Sequence, residues 1–244
     1  MTTTTFGQFL ELSIPAHNIQ ESLNFYRVLG FSELPVGDIR NYHYGVVSDG
    51  RIAIGLHADG IEEPALSFVK SDVAESLEDM TSDGGELFFS RLGIEDFHEI
   101  GVRTPDGHLL IIQEARTFSR AHLAELPLPV TGHCTEISLG SRDPDHAASY
   151  WGNAGFLANH LMENPATEQK AGDTIELLTP GLCLGLRTDL PSGRMALRFT
   201  PDNLEHVLEM LDRCNVPVRR MAEGYRVIAP EGTHLNLVQK NDLE

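Results

Sequence analysis

The chain repeats itself. Glu11-Leu12-Ser13-Ile14 near the start is echoed by Glu136-Ile137-Ser138-Leu139. The match runs on through Phe25-Tyr26 and Tyr150-Trp151, Gly30-Phe31 and Gly155-Phe156, and Pro105-Asp106-Gly107 and Pro230-Glu231-Gly232, each pair 125 positions apart. In between, the offset drifts to 130 for Gly55 and Gly185 and to 131 for Ala65 and Ala196. The second copy therefore gains residues in one loop and loses them in a later one. Agreement on both sides of such a drift is hard to obtain by chance, and it points to two copies of one structural unit. With 244 residues in all, each copy is about 100–120 residues, enough to bury a core. The boundaries read as a first module over 1–118, a connector over 119–130 and a second module over 131–244.

Each copy has the same local grammar. Asn18-Ile19-Gln20-Glu21 has the spacing of a capping box, and Asp143-Pro144 offers an N-cap followed by proline in the first turn. Farther on, Asp72-Val73-Ala74-Glu75 and Asp202-Asn203-Leu204-Glu205 repeat the capping spacing. Val73, Leu77 and Met80, and Leu204, Val207, Leu208 and Leu211, then follow as apolar faces of helical period. Short alternating or apolar runs lie between: YHYGVV, RIAIGL and HLLIIQ in the first copy, TIELLT, LCLGLR and HLNLVQ in the second. Turn signals such as Ser48-Asp49-Gly50 separate them, as in antiparallel hairpins. The expected class is α+β, with tandem βαβββ modules forming curved mixed sheets, each module carrying a shorter βαβββ echo of itself.

Charge narrows the partners. Asp and Glu number 36 against 18 Lys and Arg, a formal net charge of −18, and no Lys/Arg run occurs along the chain. Nucleic acids and anionic membrane surfaces are thus not expected, because binding them takes clustered cations. A small molecule is left as the expected partner of a monomer or homodimer. The hydrophobic share of 41% is ordinary for a globular protein. No apolar run approaches the roughly 20 residues of a membrane helix, and MTTTTFGQFL lacks a basic start, so a cytoplasmic location is expected. Cys134, Cys183 and Cys214 have no CxxC spacing, so neither disulfides nor a zinc knuckle is indicated.

The tandem βαβββ order, the NFYRVLGF helix and the TPDGHLLI terminal hairpin resemble the vicinal oxygen chelate superfamily. That group includes glyoxalase I, extradiol ring-cleavage dioxygenases and bleomycin- and fosfomycin-resistance proteins. The resemblance covers roughly residues 8–116 and 131–240. It implies that metal-dependent members hold a divalent ion at four kinds of position. Here those fall on Glu11 and Glu136 in the first strands, Gly55 and Gly185, Ala65 and Ala196, and Ile111 and Asn236 after the terminal turns. Glycine and alanine have no side-chain donor, and a lone carboxylate does not hold a catalytic divalent ion against water. The ligand set looks dismantled, and no metal or other cofactor is expected.

Small residues at ligand positions either free room for a bulkier organic molecule or pack beneath larger neighbours. Strand alternation places Glu11 with Ser13, and Glu136 with Ser138, on one face. Lining a cup, either glutamate would be partly desolvated, its pKa raised, and able to act as a general base or to orient a ligand; the alternative is a carboxylate paired internally. His43, between Tyr42 and Tyr44, offers a stacking surface at a rim or simply packs in a hairpin. His57 and Arg187 occupy matching repeat positions and point toward a ligand or lie at solvated strand ends. His108 and His234 adjoin the terminal turns, where an exposed histidine is ordinary. His133-Cys134 is not a catalytic pair, because neighbours on a strand face opposite ways.

Three functions stay open. The first is metal-independent binding of a small, aromatic organic molecule, as in antibiotic-sequestering members. The second is a metal-free lyase, isomerase or hydrolase using Glu11 or Glu136. The third is a glyoxalase- or dioxygenase-like metal enzyme with ligands such as Glu11, His43 and His57. Candidate ligand-contacting residues are Ser13, Tyr42, His43, Gly55, His57, Ala65, Ser138, Gly185, Arg187, Ala196 and Asn236.

Overall fold

A computed structural model describes residues 4–36, 42–81, 84–93, 97–115, 123–159 and 174–239. Its first repeat runs β1 (Gln8–Pro15), α1 (Ile19–Val28), β2 (Ser32–Leu34), β3 (Tyr44–Ser48), β4 (Ala53–His57), β5 (Ala65–Lys70), α2 (Leu77–Thr81), β6 (Glu86–Arg91), β7 (Glu99–Arg103) and β8 (Leu109–Glu114). The second runs β9 (Cys134–Gly140), α3 (Pro144–Asn153), β10 (Leu157–Ala158), β11 (Thr174–Thr179), β12 (Leu182–Arg187), β13 (Met195–Phe199), α4 (Leu204–Arg213), β14 (Val218–Met221), β15 (Gly224–Ile228) and β16 (His234–Leu237). The two eight-stranded sheets have matching orders, β2-β3-β4-β1-β5-β8-β7-β6 and β10-β11-β12-β9-β13-β16-β15-β14. Parallel pairs such as β1–β4 and β5–β8 alternate with antiparallel hairpins. The fold is therefore the expected tandem of βαβββ pairs in mixed sheets.

Local chemistry sets the helix starts. Asn18 Oδ1 accepts from the Glu21 amide at 3.2 Å while its Nδ2 donates to the Glu21 carboxylate at 3.0 Å. Asp143 accepts from the His146 amide at 3.0 Å, with Pro144 in the first turn. In α4 the cap is Asn203, which accepts from His206 N at 3.0 Å, one residue later than Asp202. The helix expected from Asp72 is cut short: 73–76 form turns and α2 has five residues. There Ser71 Oγ donates to the Asp72 carboxylate at 2.7 Å and Ser76 Oγ to the Asp72 carbonyl at 2.7 Å, so side chains compete for the groups a helix start would use. The terminal turns are alike, with Gly107 (φ 86°) and Gly232 (φ 95°) in the left-handed region that a side chain disfavours.

The chain divides into two compact units. One comprises Met1–Glu11, Ala65–Arg120 and Ser138–Met195; the other comprises Leu12–Pro64, Ala121–Ile137 and Ala196–Glu244. Within the first, Trp151 is 1% exposed and meets Phe6, Tyr150 and Phe156 edge-on at 5.9, 5.7 and 4.8 Å between ring centroids. Within the second, Tyr26 is fully buried and packs its ring at a tilt against that of Phe31, 5.2 Å between centroids. Its hydroxyl donates to Glu231 at 2.8 Å, and Ser22 and Thr233 donate to the same carboxylate at 2.6 and 2.7 Å. Burial, then the Glu231 charge, pushes the Tyr26 phenol well above its ordinary value. No helix among the described residues is long and apolar enough to cross a membrane.

Candidate functional site

A sheet with helices on one side offers its other face to a ligand, so the first question is which residues face away from the helices. In β3 a Cβ on Gly45 would meet Ile19 and Leu23 of α1 at 3.2–3.6 Å, which puts Gly45 and its partner Leu56 on the helix side. The opposite face then carries Ser13, Gly55 and Val46, in register across β1, β4 and β3, together with His57 and Tyr44 one step along. Glu11 alternates with Ser13 on β1 and shares its side of that strand.

This face is enclosed. Glu11, Ser13 and His57 are each 1% exposed, and Gly55 is buried. His57 is not at a solvated strand end. Its Nδ1 lies 3.2 Å from the Tyr42 hydroxyl, and its ring is 4.6 Å from that of Tyr44. The structure thus brings Tyr42, Tyr44 and His57 together, while His43 between the tyrosines is exposed. Ala65 is fully buried beside Leu109, and Ile111 pairs with Ser67. Near them Glu99 accepts from Gln113 at 3.1 Å and from Arg91 at 2.8 Å.

The second module repeats the frame with more access. Glu136 and Ser138 are buried on β9, and neither Glu11 nor Glu136 is without an interaction partner. Gly185 is buried opposite the exposed Glu176, and Arg187 donates to Thr174 Oγ1 at 3.3 Å. Ala196 is buried at the start of β13. Asn236 is half-buried and in register with Arg198 on one side and Arg226 on the other, and Arg226 pairs in turn with Arg219. Arg226 Nε donates to Asn236 Oδ1 at 2.8 Å. The opposite face of these strands carries Leu197, Phe199, Leu235, Leu237 and Val227, all buried. Asn236 is a candidate from the sequence, whereas the three arginines, scattered through ALRF, VRRM and GYRV, are not singled out there.

The donors at the ligand positions do not fit a divalent ion. Gly55, Gly185, Ala65, Ala196 and Ile111 supply no side-chain donor. Among the described residues no group of three or more His, Cys, Asp or Glu could hold a metal ion. Among the described residues, Glu11 and Glu136 are not joined by the two further ligands that such a site requires.

Two buried groups lie elsewhere. His108 is 1% exposed, contrary to the expected exposed turn histidine, because it is drawn against the carbonyl of Gly140: Nε2 donates to that oxygen at 2.9 Å, and Nδ1 has no hydrogen-bond partner among the described residues. Burial lowers its pKa, against the opposing effects of the Gly140 carbonyl and Asp106. Cys134 is buried with its backbone amide donating to Asp49 Oδ2, while His133 Nδ1 donates to the Asp49 carbonyl at 2.7 Å. Burial, then the Asp49 charge, pushes the Cys134 thiol well above its ordinary value. This is an inert packed thiol rather than a nucleophile.

Comparison with solved structures places this architecture. A catechol 2,3-dioxygenase is 12% identical, with 98% of this chain and 89% of that one covered and a TM-score of 0.60. The 2,3-dioxygenase LapB from Pseudomonas sp. KL28 is 16% identical, with 98% and 93% covered and a TM-score of 0.58. Homoprotocatechuate 2,3-dioxygenase from Brevibacterium fuscum is 11% identical, with 96% and 71% covered and a TM-score of 0.61. The chain has the fold of the extradiol dioxygenases and of the vicinal oxygen chelate superfamily. No family model and no curated protein matches it.

Proposed function

We propose that the chain is a metal-independent binder of a small organic molecule of aromatic character, held on the helix-averted face of β13–β16 around Ala196 and Asn236. The observation that carries this reading is the donor chemistry: five of the eight positions where the fold's metal-dependent members place ligands are glycine, alanine or isoleucine. A face with small residues and a few fixed polar groups suits shape-selective binding. The similar structures bear the names of dioxygenases that act on aromatic rings, which supports an aromatic guest. Glu11 and Glu136 would orient polar groups of ligands in their own modules.

Metal analysis of the purified protein, with a thermal-shift screen of small aromatic compounds before and after chelation, tests this reading. The expected result is ligand-induced stabilisation that survives chelation, with the ligand recovered unchanged. A stoichiometric ion whose removal abolishes binding would overturn the reading. Glu136→Gln is expected to weaken binding by roughly tenfold while the fold persists, the scale of one charged hydrogen bond.

A further inference from the structure

Arg198, Asn236, Arg226 and Arg219 form one row across four adjacent strands, β13, β16, β15 and β14, each in direct register with the next. Directly paired residues point to the same side of a sheet, and neighbouring strands are about 4.8 Å apart, so the row spans roughly 14 Å. The α4 side is taken by other residues: Arg220 and Tyr225 line a hollow with Leu208 and Asp212 of that helix.

This arrangement is costly without a counter-charge. Like charges directly opposite each other on neighbouring strands repel, as Arg219 and Arg226 do. Although the chain carries 36 acidic residues, the row has little acidic company among the described residues. Among the described residues no carboxylate pairs with Arg219 or Arg226, and Arg198 has only the exposed Glu223 at 3.8 Å. The row also presents donors alone. Guanidinium groups accept nothing, and Asn236 already accepts from Arg226 Nε at 2.8 Å. Beside it on the same face lie Ile228, 50% exposed, and the buried Ala196.

We infer that this row is a binding site for the oxyanion of a small organic molecule, a carboxylate or a phosphate whose apolar body lies along the exposed Ile228. The inference rests on the proposed binding function and gives the ligand its charge. The guanidinium groups then do what a divalent ion does elsewhere in this fold, holding ligand oxygens by charge. A small anion can reach the row, whereas a polyanion is repelled by the net charge of −18.

Calorimetry and thermal shift on the full chain, with benzoate, phenyl phosphate and the neutral benzamide as probes, test the site. At least one anion is expected to bind and benzamide not to, and whichever anion binds better identifies the source class. Arg219→Gln and Arg226→Gln are each expected to lower anion affinity about tenfold or more. Arg220→Gln, on the α4 side, leaves it unchanged. Without ligand, Arg219→Gln is expected to match or exceed the wild-type melting temperature at low salt, because it relieves repulsion. Failure of both anions to bind, undiminished binding in both variants, or clear destabilisation by Arg219→Gln overturns the inference. Equal binding of benzamide and benzoate also overturns it while leaving metal-independent binding intact; a required metal ion would instead remove the function on which it rests.

Discussion

His108 sits in a turn that the repeat made easy to find, yet its burial depends on Gly140, 32 positions away, and no local pattern announces that contact. Its lowered pKa has a signed consequence. The unfolded chain takes up a proton at this imidazole below about pH 6.5, and the folded chain resists doing so. The stabilising contribution is therefore complete above that value and is lost as the pH falls through the folded pKa. His108→Gln keeps a donor for the Gly140 carbonyl and removes the titration. Urea unfolding at pH 7.5 and 5.5 is expected to show a smaller loss of stability in the variant than in the wild type. Cys134 and Cys214 give a second check, since the first is buried with a raised pKa and the second is exposed. Iodoacetamide is expected to label Cys214 rapidly and Cys134 only on unfolding, as read by peptide mass. Glu11, Ser13, Glu136 and Ser138 were legible because period two is written into a strand. The arginine row was not, because its members meet only when four strands fall into register.

Helices and strands were legible where the signals are short-range. Asn18 and Asp143 cap as their spacing predicts, and replacing either by alanine is expected to cost about 1 kcal/mol in denaturant unfolding. The Asp72 segment shows the limit of the same rule, because two serines claim the groups that would start a helix there. Packing is a different matter from propensity. Trp151 is marked by its match to Tyr26 in the repeat, but its worth comes from the rings of Phe6, Tyr150 and Phe156 around it. Trp151→Ala is expected to destabilise the protein by roughly 3–5 kcal/mol, measured by the shift in urea midpoint.

At the scale of the molecule, the repeat predicted two βαβββ tandems and the sheet orders bear them out strand for strand. What it did not predict is the composition of the compact units. Each takes segments from both repeats, as when Ser22 and Tyr26 of α1 hold Glu231 in the turn before β16. Periodicity reports which face of an element is apolar, and any partner of the right shape satisfies it. Expressed separately, residues 1–118 and 131–244 are expected to lack fixed tertiary structure by near-UV circular dichroism, and to regain it when mixed. Glu231→Ala should weaken that recovery by removing the acceptor for three hydroxyl donors. A forebear only one repeat long would have met the same shortage. It could have completed a unit only by exchanging segments with a twin, so joining two genes end to end would have made an obligatory partnership permanent and independent of concentration.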